Sequence, residues 1–246
     1  MKGLRYLMIL GTVMYALPPQ SGKAGAQVAP PPAVQAPVTA IDILLEPDAT
    51  MVQHAEGVNA RLRSVFPKGF ALDASHRPHI SMFQCFVPTA NLEKVYALAD
   101  KAIAGANVTA LKLTAFKYYY IPDQSLGLSG IVVKPTPELL KLQRDLIDAV
   151  APFTVKTATS AAFVTTPEDP NINPLLIQYI EVFATEHAGQ HYLPHVTTGV
   201  APREYLDKML AEPFADFSFS PAGASVYHLG QFGTAAKKLK ALAVRP

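Results

Sequence analysis

One cysteine occurs among 246 residues, so no internal disulfide can form and the fold has to be held by packing alone. Cys85 lies inside the apolar run Ile80 to Val87 and reads as a small buried hydrophobe, because a reactive thiol needs an exposed electropositive setting. Charge is scarce as well: 16% of residues are charged while 50% are hydrophobic, which excludes the composition of a disordered chain. Several motifs are missing. There is no G-x-x-x-x-G-K-[ST] phosphate loop, no G-x-G-x-x-G fingerprint and no H-E-x-x-H, and Gly127-Leu128-Ser129-Gly130 stops short of G-x-S-x-G. ATP-driven, NAD-dependent and serine-hydrolase readings thereby lose their simplest support.

The formal net charge of +2 is misleading, because Lys2, Arg5 and Lys23 sit in an N-terminal stretch without acids. Without those three the chain has 18 basic against 19 acidic side chains. A groove that tracks long nucleic acid needs a basic excess, so a small or short anionic ligand fits better than a duplex. Residues 1–26 read as a secretory signal: Lys2 and Arg5 form the charged start, Tyr6 to Leu17 the apolar run, and Ala24-Gly25-Ala26 the small-x-small cleavage pattern. That run is too short to span a bilayer, which takes about 20 residues, and no cysteine follows it to accept a lipid. Residues 27–40, with Pro30, Pro31, Pro32 and Pro37, read as an extended tether. The expectation is an exported soluble protein, periplasmic or secreted, monomeric, whose domain covers residues 41–246.

Along that domain, strands and helices interleave. Ile41 to Glu46 reads as a strand, and Met51, Ala55, Val58, Leu62 and Val65 step by four and three along one helical face. A strand over His79 to Val87 and a helix over Asn91 to Ala104 follow. Strands are expected at Val108 to Tyr120, Leu126 to Lys134, Leu175 to Thr185 and Leu193 to Val200, and around Phe217 to Phe219 and Ser225 to Leu229. Thr136, Pro137 and Glu138 supply the cap, first position and acid of a helix to about Val150, and Pro202 to Leu210 reads as a short one. The fold class is α+β, in two lobes with antiparallel or mixed sheets about a cleft.

The informative feature is a repeated tetrapeptide, Pro78-His79-Ile80-Ser81 and Pro194-His195-Val196-Thr197, each opening an expected strand. Alternation puts His79 with Ser81 and His195 with Thr197 on one face of their strands. Two imidazoles that change charge near neutrality can act on a phosphodiester without a metal, one taking a proton and the other giving one. The hydroxyls of Ser81 and Thr197 can bind the non-bridging phosphate oxygens.

These paired H-x-[ST] motifs resemble the 2H (two-histidine) phosphoesterase superfamily, which includes bacterial 2′,5′ RNA ligase-like enzymes and cyclic phosphodiesterases. The likeness extends through Tyr179-Ile180-Glu181-Val182-Phe183 to Pro194-His195-Val196-Thr197-Thr198-Gly199. It implies two ferredoxin-like βαβ-type halves around a central cleft, catalysis without cofactor or metal, and 2′,3′-cyclic phosphate or related esters of nucleotides or short RNA ends as substrates. By the same likeness, His79 and His195 match the acid/base pair and Ser81 and Thr197 the phosphate-binding hydroxyls.

Other residues are weighed against this. Phe83, two positions beyond Ser81, either floors the pocket or joins the core. Tyr118, Tyr119 and Tyr120 with Lys117 offer a stacking surface of which alternation admits only some, Tyr118 and Tyr120 being taken as substrate contacts. Glu181 faces either solvent or inward as a partner for a histidine or ribose, and His76 and His191 rim the site at most. The rival reading is a metal-dependent hydrolase using His187, His191 and His195 at i, i+4 and i+8, a spacing that Gly189 and Pro194 break. A non-catalytic nucleotide- or phosphate-binding module is the other alternative.

Overall fold

The structure, a computed structural model, describes residues 36–167 and 170–245, so the expected signal and most of the tether lie outside the described residues. Eight strands form two four-stranded sheets in which every pairing is antiparallel. The first has the order β2-β1-β7-β8, built from β1 (Val38–Pro47), β2 (Ile80–Pro88), β7 (Pro221–Leu229) and β8 (Ala235–Leu242). The second has the order β5-β4-β3-β6, built from β3 (Leu113–Asp123), β4 (Leu126–Val133), β5 (His195–Pro202) and β6 (Phe217–Phe219). β1 thus takes in three residues that the sequence assigned to the tether. Both of its faces are covered, which is why Ala40 to Leu45 are apolar but for Asp42.

Helices α1 (Ala49–Val65), α2 (Leu92–Gly105), α3 (Pro137–Val150) and α6 (Arg203–Leu210) complete the two halves. Asp48 caps α1 by accepting from the amides of Thr50 and Met51, and Thr136 caps α3 with Pro137 at its first position. α1 joins β1 to β2 in the first sheet yet packs against β5 of the second. Asn59, buried on that helix, fixes the crossing: its amide donates to the carbonyls of Thr198 (2.8 Å) and Phe70 (3.0 Å) and accepts from the Leu72 N–H (3.2 Å). α3, which follows β4 of the second sheet, packs back on α2 and β2. One apolar core runs through both sheets, from Ile41, Met82 and Phe83 to Ile131, Val133 and Val196.

Two expectations fail for identifiable reasons. The apolar stretch after Leu175 is helical, as α4 (Pro174–Glu181) and α5 (Phe183–Glu186), where a strand was expected. The Asn173 side chain accepts from the Leu175 N–H at 2.9 Å and Pro174 holds the first position, the same start signal as Thr136-Pro137. Hydrophobicity on both sides of the run masked that signal. β8 was missed because Ala, Lys237, Lys238 and Lys240 are poor strand formers; lysines on an edge strand keep it from pairing with other chains.

Candidate active site

Two β-bulges at the same offset shape the site. In β2, Ser81 pairs with Leu44 and Phe83 with Ile43, leaving Met82 unmatched; in β5, Thr197 pairs with Gly130 and Gly199 with Ser129, leaving Thr198 unmatched. Each unmatched residue is the third after its histidine, and each resets the alternation of its strand. The face carrying His79 and Ser81 therefore continues with Gln84, and that carrying His195 and Thr197 continues with Val200. This corrects the placement of Phe83, which lies in the core, 3% exposed, against Phe183. The β5 bulge requires glycine: Gly199 has φ 144°, and a Cβ there would lie 2.9 Å from the Asn59 amide nitrogen.

The two histidines are held alike. Nδ1 of His79 donates to the Arg77 carbonyl at 2.7 Å, and Nδ1 of His195 to the Leu193 carbonyl at 2.8 Å. The residue between is proline in both motifs, and proline keeps the residue before it extended. Since a carbonyl only accepts, each Nδ1 carries a hydrogen and Nε2 is left as the nitrogen that titrates. His79, Ser81, Gln84, His195, Thr197 and Val200 line one cavity of about 260 Å³ between the sheets. It adjoins a second of about 310 Å³, with which it shares Ser81, Ile121, Tyr179 and His195. The second is walled by rings, among them Tyr119, Phe183, His187 and Tyr192.

Beyond their shared backbone bond, the halves differ. Asp42 on β1, fully buried, places Oδ2 at 3.4 Å from Nε2 of His79 and accepts there from Ser81 Oγ (2.5 Å) and Gln84 Nε2 (3.2 Å). Burial is the largest influence on His79 and pulls its pKa down. The hydrogen bond and charge of Asp42, with the Arg77 carbonyl, outweigh it and leave the ring above its ordinary 6.5. Among the described residues no carboxylate contacts His195, and burial, aided by the charge of His79, lowers its pKa to about 4 against the opposing pull of the Leu193 carbonyl and of Asp42. His79 therefore keeps its second proton to higher pH than His195 does. Ser81 has spent its hydrogen on Asp42, whereas the Thr197 hydroxyl, on a partly exposed residue, has no partner among the described residues.

The tyrosines of β3 are corrected as well. Tyr119 pairs with Gly130, which pairs with Thr197, so Tyr119 shares the histidine face. Its ring passes over Gly130 and meets the His195 ring edge-on at 4.8 Å. Burial raises the Tyr119 phenol well above its usual pKa, with Tyr179 adding to the effect, so it stays a donor. Tyr118 and Tyr120 point the other way: Tyr118 packs edge-on against Phe214, and Tyr120 donates to Asp207 of α6 at 2.5 Å. Glu181 ends α4 and accepts from Thr157, while His76 pairs with Asp73 and stacks on Phe70. His187 stacks on Tyr179 at 4.1 Å. His187, His191 and His195 fall on a helix cap, a 3₁₀ turn and a strand, so their spacing does not align them on one helix. Among the described residues no three His, Cys, Asp or Glu side chains are grouped to hold a metal ion.

Asp42, Gln84, Tyr119, Tyr179 and Tyr192 belong to this constellation without having been singled out from the sequence as site residues. Asp42 alone carried a signal, as the one charge inside the run Ile41 to Leu45.

No family model matches the chain, and no curated protein matches it. Solved structures do. TT0787 of Thermus thermophilus aligns at a TM-score of 0.50 and 12% identity over 84% of this chain and 98% of that one. LigT of E. coli in complex with 3′-AMP aligns at 0.43 and 12% over 85% and 99%, and Usb1 of Kluyveromyces marxianus at 0.40 and 11% over 82% and 97%. The chain has the fold of TT0787.

Proposed function

We propose that the chain is an exported, metal-independent phosphoesterase that opens 2′,3′-cyclic phosphates of nucleotides or short RNA ends. The observation that carries this reading is that two imidazoles with opposite protonation preferences border one cavity. A phosphodiester seated there has Nε2 of His195 on one side and Nε2 of His79 on the other. His195, neutral, takes a proton from the attacking water as its oxygen bonds to phosphorus. The bond from phosphorus to the 2′ or 3′ oxygen breaks, and that oxygen takes the proton of His79 Nε2, giving a phosphomonoester and a free hydroxyl. The anion itself draws His195 toward protonation, which strengthens it as a base. Thr197 can donate to a non-bridging oxygen as charge builds there. The ring-walled cavity fits the nucleoside, with Tyr179 and His187 offering faces for a base.

Incubating the protein with 2′,3′-cyclic nucleotides in excess EDTA tests this. Turnover should persist without metal, and His79→Ala or His195→Ala should each lose at least about 100-fold in rate. Turnover abolished by the chelator and restored by zinc would overturn the reading. N-terminal sequencing of the protein from a cell envelope extract should begin at Gln27.

A further inference from the structure

We propose that Asp42 is a positioning residue that holds the transferable proton on Nε2 of His79, dividing two otherwise matching motifs into a proton donor and a proton acceptor. This rests on the phosphoesterase reading of the site. Four observations carry it. Asp42 is the only carboxylate that contacts either histidine among the described residues, at 3.4 Å from Nε2 of His79, and it is fully buried. Its Oδ2 is fixed by two further donors, Ser81 Oγ and Gln84 Nε2, and Gln84 reaches it only because the bulge at Met82 turns that side chain inward. Its Oδ1 is buried and unpartnered, which is costly and not what a merely structural carboxylate shows. The matching half, around His195 and Thr197, has no counterpart among the described residues.

The groups that face this pair define its electrostatics. His195 lies across the cavity on β5, Tyr179 on α4 and Tyr192 before β5 border the same space, and Cys85 lies on β2. Burial, with a further contribution from the Asp42 charge, raises the two phenols and the thiol above their ordinary pKa values, so each is a far weaker proton donor than an imidazolium. By drawing the Ser81 hydrogen to itself, Asp42 also leaves Ser81, whose oxygen accepts from Gln84 Nε2 at 3.1 Å, without a hydrogen for the cleft. The Ser81 hydroxyl is thus a poor donor to phosphate, unlike Thr197. Proton donation matters in proportion to the basicity of the departing oxygen: an alkoxide needs it and a nitrophenolate does not.

Asp42→Asn is the test, because the amide oxygen can keep the Ser81 and Gln84 bonds while the charge is removed. It should be compared with wild type on a 2′,3′-cyclic nucleotide, whose leaving oxygen is an alkoxide, and on a p-nitrophenyl phosphodiester. On the cyclic nucleotide kcat should fall about 100-fold with KM little changed, and the alkaline limb of the pH profile should move to lower pH. On the aryl ester the loss should stay within about threefold. Equal losses on both esters, or an unmoved alkaline limb, would overturn the role of Asp42 and leave the phosphoesterase reading standing. If wild type turns over neither ester, that reading is what fails. Ring ¹⁵N titration of wild type by NMR then decides for Asp42, as it does if the variant does not fold: His79 should hold its Nε2 proton to higher pH than His195. The reverse order refutes the proposal.

Discussion

Replacing Gly130 by alanine perturbs the site through one methyl group. A Cβ at Gly130 would lie 2.6 Å from Cε1 of Tyr119 and 3.0 Å from the Val196 carbonyl oxygen. Carbon atoms rest at about 3.5–4.0 Å, so the Tyr119 ring has to retreat by roughly 1 Å. That ring buttresses His195 edge-on at 4.8 Å, and a roughly 1 Å misplacement of a reacting group costs on the order of 100-fold. Overpacking of this kind costs about 1–3 kcal/mol, and each kcal/mol lowers Tm by about 2–4 °C in a domain of this size. The assays are thermal unfolding and hydrolysis of a cyclic nucleotide. Gly130→Ala should lose both stability and kcat, and in a Tyr119→Ala background it should cost less, because the ring atoms are gone and only the Val196 carbonyl oxygen remains close. Gly57→Ala is the control: this exposed glycine in α1 has open space around it, and alanine there should raise stability by up to about 1 kcal/mol. A Gly130→Ala protein with the Tm and kcat of wild type would refute the packing of Tyr119 over Gly130.

Two further outcomes follow from the inequality of the motifs. His195 must be neutral to accept a proton and its pKa is lowered to about 4, so kcat/KM should begin to fall only as pH drops toward 4. A fall centred near 6.5 would show that the ring is not shielded as the structure has it. Thr197→Val should reduce kcat about 10- to 100-fold by removing a free donor, and Ser81→Ala should cost less in kcat, its hydrogen being already committed to Asp42. Steady-state kinetics of the two variants compares them, and a larger kcat loss in Ser81→Ala would reverse the assignment.

The helical periodicity from Met51 to Val65, the cap at Thr136 and both P-H-[IV]-[ST] motifs were legible in the sequence because each signal is local. What escaped depends on partners distant along the chain. Whether Phe83 or Gln84 faces the cleft is decided by a bulge that exists only in the register of β2 on β1. Among three consecutive tyrosines, the one that reaches His195 is chosen by the pairing of Tyr119 with a residue lacking a side chain. Alternation said that the odd and even members must part, but not which set turned inward. The helix at Pro174 was readable from Asn173-Pro174 alone, yet its neighbours are apolar all round, so periodicity could not separate it from a buried strand. Asp42 was visible as an anomaly, and its role depends on His79, 37 positions away.

The exchange of helices between the sheets bears on how such a chain can be divided. Because α1 leaves the first sheet to roof β5 and α3 returns from the second to roof β2, a cut between α2 and β3 gives two fragments that each lack a roof. Neither should be stable alone, whereas the pair, mixed together, has every surface needed to rebuild the domain. The same interlacing ties the strands that follow the two histidines to each other's supports.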